Sequence, residues 1–348
     1  MTYIDSDGLH VEEFLQLSIP IVDVRAPIEF NKGHIPGSLN IPLLTNEDRH
    51  RVGLCYRQSG HQAAVHLGLQ LVGPRMAELA QSGMDAAKEG QIAVYCQRGG
   101  QRSQSLCWLW RQMGLKVYRL EGGYKSFRRW SSEILSQPRF LLLLAGGTGV
   151  GKTAYLHRLR DTGENVIDLE GLAHHKGSAF GAIGESEAPT QSHFENTLAV
   201  QLWRYQSTEP IWLESESRRV GTCQIPPMIW SSMESAERIY IERELSQRIE
   251  RLCTDYRSAS IAELERALHA IRKRLGPEAY KNALQDLHAD YREGVVKQVL
   301  GYYDRLYDRH KIRHQSRILA TLNVSTLSEE QVISYLKSVK DEKYPQTE

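Results

Sequence analysis

The chain has 348 residues, of which 41% are hydrophobic and 24% charged, so it is long enough for about two globular domains. A formal net charge of +1 excludes a generally basic protein, so any RNA contact has to come from a local patch. Five cysteines without a CxxC pair or a zinc spacing fit a reducing compartment. Apolar runs are too short for a membrane span or a signal peptide. These features predict a cytoplasmic protein without membrane contact.

An early strand and the turn after it form the first distinctive stretch. Val11–Leu17 predicts a short helix, and the apolar run Ile19–Val24 predicts a buried strand. The strand ends with Asp23 and Arg25, and the turn Gly33–Ser38 of sequence Gly-His-Ile-Pro-Gly-Ser follows. By themselves, Asp23 and Arg25 fit an ordinary ion pair at a strand end.

A cysteine at the end of a second strand is the first candidate for chemistry. Gln91–Tyr95 predicts a short strand, and apolar residues at helical spacing beyond residue 103 predict a helix, so Cys96 lies at their junction. The glycine-rich loop between them carries Arg98 and Arg102. Curled backbone amides, a helix N-terminus and two arginines all favour thiolate over thiol. We therefore expect Cys96, Arg98 and Arg102 to be catalytic; the alternative for Cys96 is a buried small hydrophobic residue.

Together these stretches resemble the rhodanese-like domains. The matching sequence runs are Asp23–Arg25, Glu29–Phe30, Gly33–Ser38, Asn40–Pro42 and Leu120–Tyr124. The resemblance implies a three-layer α/β domain over residues 1–135. It also implies that Cys96 stands where the family carries sulfur, with Asp23 and Arg25 as a frame around its loop.

Two stretches of this half lie outside the rhodanese signature. Arg51–His61 predicts a loop that either faces a substrate or caps the small-residue helix Gln62–Leu71. The polar stretch Ser131–Pro138 predicts a linker, and a second domain is expected over residues 139–348.

A phosphate-binding loop opens the second half. Phe140–Ala145 predicts a buried strand that leads into a stretch satisfying G-x-x-x-x-G-K-[ST], in the strand-loop-helix context that this motif requires. Its glycines let successive amides converge on a diphosphate, Lys152 neutralises the outer oxygens, and Thr153 can ligate magnesium. Lys152 is therefore also a catalytic candidate. The diphosphate-binding residues expected are Gly146, Gly147, Thr148, Gly149, Val150, Gly151, Lys152 and Thr153.

Further apolar stretches predict that this loop belongs to a parallel-sheet domain of the P-loop NTPase type. The strands expected are Asn165–Leu169, Pro210–Leu213, Arg238–Ile241 and Leu319–Val324. Asp168 and Glu214, at the ends of the first two, could each orient magnesium or water beside the loop. For Glu216, two residues further on, a carboxylate that merely caps a loop is the better interpretation.

Two polar loops are expected at the same edge of the sheet, where ligands of α/β domains bind. Leu172–Gly181 contributes His175 and Lys176 as phosphate-facing candidates, and the loop after the next strand contributes Arg218. His174 and His175 are adjacent and lack a third ligand at a useful spacing, so zinc is not expected.

A helical extension is predicted from Ser260 to about Gln315, with a break at Gly276-Pro277. Its core face is expected at Leu264, Leu268, Ile271 and Leu275. Basic residues interleaved with tyrosines fit RNA binding or, equally, a solvated helical bundle. The RNA-binding residues expected are Arg305, Arg309, Lys311 and Arg313. The tail from Lys340 is expected to be frayed.

A rhodanese-like domain followed by a P-loop domain, with the stretch Asp168–Ser178 in order, resembles the tRNA 2-selenouridine synthase family over nearly the whole chain. The resemblance implies an enzyme that replaces sulfur by selenium at the wobble 2-thiouridine of certain tRNAs. It implies an S-geranylated intermediate made from geranyl diphosphate, and selenophosphate as selenium donor. Beyond these co-substrates and tRNA, it leaves room for a selenophosphate-producing enzyme as a partner and for magnesium, with no tightly bound cofactor.

Two alternatives remain open on the sequence. Cys96 to Arg102 is also C-x5-R, as in dual-specificity phosphatases, so the chain could be a P-loop kinase or NTPase fused to an anion-binding cysteine loop. The other is a regulator that binds tRNA or a nucleotide and carries an inactive rhodanese module.

Overall fold

The computed structural model describes residues 8–205 and 209–345, which separate into two compact units. The first holds the chain up to Ile134 together with Glu195–Val200, and the second holds the rest. The ends of the two predicted domains, 1–7 and 346–348, lie outside the described residues. Within the described ranges, no helix has both the length and the apolar character that a membrane crossing requires.

The first unit is built on short parallel strands. They are β1 (Gly8–Leu9), β2 (Ile21–Asp23), β3 (Leu39–Asn40), β4 (Gln91–Tyr95) and β5 (Lys116–Leu120). The helices are α1 (Val11–Gln16), α2 (Pro27–Asn31), α3 (Asn46–Val72), α4 (Met76–Ala86), α5 (Gln101–Gln112) and α6 (Gly123–Leu135). The sheet order is β1-β5-β4-β2-β3, so β4 lies at its centre and carries Cys96 at its carboxyl end.

Two expectations for this unit are wrong. Arg51–His61 is helical, because Thr45 caps α3 by accepting a hydrogen bond from the Asp48 amide and the helix continues from there. Gly60 only interrupts it, with φ 81° and ψ −174°. The predicted linker is shorter than Ser131–Pro138, because α6 continues to residue 135 and buries Ser131 completely.

The second unit contains a parallel sheet and a helical extension. The strands are β6 (Leu141–Gly146), β7 (Ile211–Glu214), β8 (Arg219–Val220), β9 (Cys223–Gln224), β10 (Glu237–Glu242) and β11 (Ile318–Asn323). The helices are α7 (Lys152–Asp161), α8 (Leu169–Ala173), α9 (Gln191–Arg204), α10 (Pro227–Ser235), α11 (Leu245–Asp255), α12 (Ile261–Leu275), α13 (Pro277–His288), α14 (Arg292–Arg313) and α15 (Glu329–Lys343). Of these, α9 belongs to the second unit only at its two ends, because Glu195–Val200 group with the first. The sheet order is β11-β10-β6-β7, while β8 and β9 pair antiparallel on their own.

The central strand β6 positions the phosphate-binding loop. All six of its residues are buried between β10 and β7, as expected for a strand of a parallel sheet that is covered on both faces. The predicted strands at β7, β10 and β11 are confirmed. The predicted strand Asn165–Leu169 is wrong: Val166 forms one bridge to Trp212, and Asp168 then caps α8 through the Gly171 amide.

The helical extension α12–α14 follows the predicted pattern. Gly276, with φ 90°, separates α12 from α13, and the predicted core face of α12 is buried throughout. Phe180, from the loop after α8, packs into the same apolar cluster. This cluster places one face of α14 beside the loops at the edge of the sheet.

The chain does not fray at Lys340, which is 3% exposed within α15. Its Nζ lies 2.7 and 3.0 Å from the two carboxylate oxygens of Glu164. The Trp212 indole donates to the same carboxylate at 3.1 Å. The expectation of a loose tail was wrong here because a buried carboxylate requires a cation.

Candidate active sites

Cys96 lies between β4 and α5 and is 3% exposed. The Ser103 hydroxyl, in the first turn of α5, lies 3.3 Å from its Sγ and 3.0 Å from the Gly100 carbonyl oxygen. The position at a strand-to-helix junction is the one predicted. A hydroxyl so close can donate a hydrogen bond to the sulfur when it is ionised.

The loop of Cys96 is held by the start of α6. The Tyr124 amide donates to the Cys96 carbonyl at 2.8 Å. Gly123 has φ +59°, and a Cβ there would lie 2.2 Å from the Cys96 oxygen and 2.5 Å from the Gly99 nitrogen. Only glycine can occupy this position without moving the loop.

Asp23 and Arg25 form the frame that the rhodanese resemblance implies. Their side chains pair at 2.6 Å, and both are buried. Arg25 also donates to the Gln97 side chain at 3.3 Å, and its guanidinium lies 3.8 Å above the Tyr124 ring. Burial opposes the charged form, but the hydrogen bonds and charge of Asp23 raise the pKa of Arg25. The ion pair therefore stays charged and fixes one wall of the cysteine loop.

The two arginines of the loop are placed differently from each other. Arg98 is exposed, whereas Arg102 pairs with Glu29 at 2.7 Å, and Glu29 also binds Arg49 at 2.9 Å. Burial of Glu29 favours its neutral form, but Arg102 lowers its pKa overall, so the pair is charged. The expectation that Arg102 adds unshared positive charge to Cys96 is thus corrected. The C-x5-R alternative is weakened, because that guanidinium is engaged by a carboxylate.

The phosphate-binding loop occupies the predicted turn between β6 and α7. Gly149 and Gly151 have φ of +82° and +100°, the left-handed region that favours glycine. Gly146 passes so close to β10 that a Cβ would lie 2.5 Å from the Ile241 carbonyl oxygen. Lys152 is 8% exposed, and its Nζ donates to the Gly146 carbonyl at 3.0 Å.

The electrostatics around Lys152 come from residues far away in sequence. Burial disfavours its charged form, but Tyr307 and three glutamates raise its pKa. The ammonium lies 5.5 Å from the centre of the Tyr307 ring. The three glutamates are Glu170, Glu214 and Glu216. Lys152 is therefore a permanent cation in a largely buried acidic setting.

Glu170 is the carboxylate that the structure places against the phosphate-binding loop. Its Oε2 accepts from the Thr153 hydroxyl at 3.0 Å. Burial and the charge of Glu216, which is 7% exposed, raise the pKa of Glu170 to about 8. Glu216 is thus part of the site rather than a simple loop cap. Glu170 ends the same acidic run as Asp168, but the sequence analysis named Asp168 as the candidate beside the loop.

The two carboxylates singled out from the sequence have structural partners. Asp168 accepts from the Gly171 amide at 2.6 Å and lies 2.7 Å from the His157 ring. Glu214 is fully buried; its Oε2 accepts from the Leu169 amide at 3.0 Å, and its Oε1 has no hydrogen-bond partner. Burial, then the charge of Asp168, raises the pKa of Glu214 well above its usual range. Both carboxylates therefore accept hydrogen bonds from backbone amides of α8, the helix that carries Glu170.

This acidic site fits a magnesium ion. Hydroxyl and carboxylate oxygens are the ligands that magnesium prefers. Burial and Glu216 hold the pKa of Glu170 high, so a cation bound there would stabilise the ionised form of Glu170. Thr153 and Glu170 are the residues that would hold the ion. Gly177, with φ +66°, packs directly against Glu170: a Cβ there would lie 2.3 Å from Glu170 Oε1, so the site has no room for a side chain at this position.

Glu170 should make the protein less stable as pH rises. Its folded-state pKa of about 8 exceeds the ordinary 4.5, so unfolding releases a proton between these two values. The free energy of unfolding should therefore fall as pH rises through that window. We expect Glu170→Gln to reduce the drop in thermal unfolding midpoint between pH 6 and pH 8, measured by calorimetry. The exposed Glu278→Gln serves as control; an unchanged drop in Glu170→Gln would contradict the assignment.

Three cavities meet at the edge of this sheet, and Ser178 lines all of them. The phosphate cavity encloses about 1240 Å³, including space open to solvent, and contains Lys152, Thr153 and Glu170. An apolar cavity of about 530 Å³, measured in the same way, shares four residues with it. These are Thr148, Ser178, Leu252 and Tyr256. A third cavity of about 1530 Å³ shares His175, Gly177, Ser178 and Tyr307 with the phosphate cavity.

The third cavity is basic and aromatic, and we call it the basic cavity. Arg218, predicted from the sequence, lines it. Further arginines and aromatic side chains line it as well. They are Arg219, Arg274, Trp230 and Tyr302. Cationic side chains interleaved with aromatic rings fit a nucleic-acid strand.

One wall of the basic cavity resembles a metal site by spacing. Among the described residues, Glu234, His310 and His314 can bring three ligand atoms within 4.8 Å of one another. Arg313 already binds Glu234 at 3.0 Å. Burial, His314 and the charges of Arg238 and Arg313 lower the pKa of His310 to about 4. Such positive surroundings repel a cation and favour an anion.

His175 and Lys176 both face the phosphate cavity, as predicted. His175 packs between two glycines, where a Cβ on Gly181 or Gly221 would lie 2.8 Å from its ring. Its buried Nδ1 has no hydrogen-bond partner, and burial lowers its pKa. Lys176 shares its charge with Glu185 at 3.1 Å. His175 therefore contributes a neutral ring to the cavity wall, and Lys176 contributes a cation that is paired with Glu185.

The four basic residues predicted on α14 do not form one surface. Lys311 pairs with Glu242 at 2.6 Å, whereas Arg313 lines the basic cavity. Residues two apart point about 200° away from each other around a helix, which separates Lys311 from Arg313. Arg305 and Arg309 are exposed and do not line the basic cavity.

The fold and the two sites define a fusion of a rhodanese-like domain with a P-loop domain. The family model described as "Rhodanese-like domain" matches residues 10–129, and the one described as "tRNA 2-selenouridine synthase AAA domain" matches residues 139–343. The chain belongs to the tRNA 2-selenouridine synthase family.

Three relatives carrying that family's name are similar over most of their length. The one from Hahella chejuensis is 35% identical, covering 90% of this chain and 91% of that protein. The one from Hydrogenovibrio crunogenus is 36% identical and covers 88% and 93%, respectively. The one from Pseudomonas putida strain GB-1 is 36% identical and covers 88% and 92%.

Proposed function

We propose that the chain replaces sulfur by selenium at the wobble 2-thiouridine of tRNA, in two steps at two sites. Geranyl diphosphate alkylates the sulfur at the phosphate-binding loop, and selenophosphate then supplies selenium at the Cys96 loop. The observation that carries the first step is an apolar cavity beside the phosphate cavity, with Thr148 and Ser178 lining both. A hydrocarbon tail on a diphosphate needs both environments side by side.

In the first step, the thiocarbonyl sulfur attacks the first carbon of the geranyl chain. The carbon–oxygen bond breaks, diphosphate leaves with the electron pair, and the uracil ring loses its N3 proton. The amides of the loop and the Lys152 ammonium stabilise the charge that develops on the leaving group. Magnesium, held by Thr153 and Glu170, would add positive charge to the same oxygens.

In the second step, the selenium of selenophosphate attacks carbon 2 of the base and geranylthiol leaves. Water cleaves the phosphorus–selenium bond, which yields phosphate and the 2-selenouridine product. The amides of the Cys96 loop hold the selenophosphate anion, and the Cys96 sulfur lies at the start of that loop. Alkylation makes this exchange possible because a thioether sulfur leaves more easily than a thiocarbonyl sulfur.

Nucleoside analysis tests this function. Cells lacking the protein should contain no 2-selenouridine in their tRNA, and the gene supplied on a plasmid should restore it, as measured by mass spectrometry. Purified protein should convert thiolated tRNA to geranylated tRNA when geranyl diphosphate is added. Unchanged nucleosides in the deletion strain would overturn the proposal.

The basic cavity is where we expect the tRNA strand to bind. Arg218 and Arg274 are both exposed and line it, so the double change Arg218→Ala/Arg274→Ala should weaken tRNA binding. The dependence on salt should flatten by about 0.7–0.9 log units per tenfold salt for each phosphate that the protein no longer neutralises. Filter binding across salt concentrations measures both effects.

The matched control removes two arginines of α12, the helix of Arg274, that lie outside the basic cavity. Arg266 and Arg272 are exposed on α12 and do not line it. Arg266→Ala/Arg272→Ala should leave affinity and salt slope nearly unchanged. Equal weakening in both double variants would place the tRNA strand elsewhere.

A further inference from the structure

The apolar cavity runs along α14 away from the phosphate-binding loop. Tyr307, nearer the C-terminus of α14, lies beside Lys152 and lines the phosphate cavity rather than the apolar one. Residues that follow the i, i+3, i+4 pattern towards the start of α14 line the apolar cavity instead. They are Tyr303, Leu300, Val299, Val296 and Val295. One helix face thus connects the diphosphate site with an aliphatic interior.

The far end of the cavity is closed by Arg292. Its guanidinium donates to the carbonyl oxygens of Tyr256 at 2.7 Å and Ala259 at 3.1 Å. These hydrogen bonds hold the side chain across the end of the cavity. From Tyr303 to Arg292, the stretch of α14 that lines the cavity, the helix advances about 16 Å, at 1.5 Å per residue. The opposite walls are apolar as well, with Phe180, Leu252 and Leu264. A nucleotide base would find few hydrogen-bond partners here, whereas a hydrocarbon chain would be desolvated along its length.

We propose that this cavity binds the hydrocarbon chain of the diphosphate substrate and that α14 acts as the ruler of its length. This inference rests on the proposed function, because it assigns the tail of the same substrate. Tyr303 and Leu300 flank the first carbons of the chain, Val296 and Val299 its middle, and Val295 its end. Chain-length selectivity is then a property of these side chains rather than of the phosphate-binding loop.

Prenyl diphosphates of five, ten and fifteen carbons, supplied separately with thiolated tRNA, test the ruler. Val299→Phe should fill the middle of the cavity and lower the ratio of geranyl to dimethylallyl transfer about tenfold, since added bulk in a packed site excludes the longer chain. Val295→Ala should raise farnesyl transfer relative to geranyl transfer. Each ratio is read as alkylated nucleoside by mass spectrometry.

Controls separate this inference from the proposed function and from misfolding. Ile312→Phe adds the same ring on α14 at a side chain that is 73% exposed, and it should leave all ratios unchanged. Val296 is only partly buried, so Val296→Phe should fold even if Val299→Phe does not, and it should shift the ratio in the same direction. If the wild-type protein transfers none of the three chains, the proposed function fails. If it transfers them and both phenylalanine variants keep the wild-type ratio, the ruler is overturned.

Discussion

Replacing Cys96 with serine is expected to abolish selenium incorporation while leaving the fold and the geranylation step intact. The change is nearly isosteric at a position that is 3% exposed, so packing should persist. Serine replaces the polarisable, ionisable sulfur at the start of the selenophosphate loop with a hydroxyl that does not ionise, so the selenation step at this loop should stop. Geranylated tRNA should therefore persist or accumulate, as mass spectrometry of nucleosides would show.

A second cysteine of the same unit provides the control. Cys55, on α3, is a free and only partly buried thiol, so Cys55→Ser should incorporate as much selenium as the wild type. Selenation at the wild-type rate by Cys96→Ser would refute the role of Cys96. Reduced selenation in both variants would point to a general effect of removing thiols.

Removing Lys152 should affect the other step. Lys152→Ala deletes a buried cation at the phosphate-binding loop, and we expect geranylation to fall by about two orders of magnitude or more, as when one preorganised donor is removed. Selenation of tRNA that is already geranylated should continue, because that step belongs to Cys96. Single-turnover assays with the two tRNA substrates measure the steps separately.

Lys273→Ala, at an exposed position on α12, is the matched removal of charge and should leave both steps unchanged. Normal geranylation by Lys152→Ala would remove the phosphate-binding loop from the mechanism. ATP hydrolysis that is stimulated by tRNA, tracks turnover and disappears with Lys152 would instead favour the NTPase alternative.

Sequence alone placed both candidate sites at strand-to-helix junctions because each is a contiguous stretch. The phosphate-binding loop is eight consecutive residues between a strand and a helix, and Cys96 sits at a similar junction. In both places the backbone itself forms the site, so local residue order was enough. The same reasoning predicted the break at Gly276 and the core face of α12.

Local sequence patterns could not predict contacts between side chains that are far apart in the chain. Arg102 is drawn to Glu29 across 73 residues, and no local pattern announces it. Tyr307 reaches Lys152 only because α14 packs beside the sheet. The prediction of a loop at Arg51–His61 was wrong for a different reason, because the cap at Thr45 starts a helix that continues through this stretch.

Because of the ion pair between Glu164 and Lys340, the second unit can fold completely only after its last helix has been synthesised. Glu164 and Trp212 leave the ribosome long before Lys340, so the nascent sheet carries a carboxylate without its cation until α15 arrives. A buried charge deprived of its partner costs about 3–5 kcal/mol. We therefore expect a chain that ends between α14 and α15 to have a less stable sheet around β6. Proteases should cleave it faster than the full chain, although it keeps every residue of the active site.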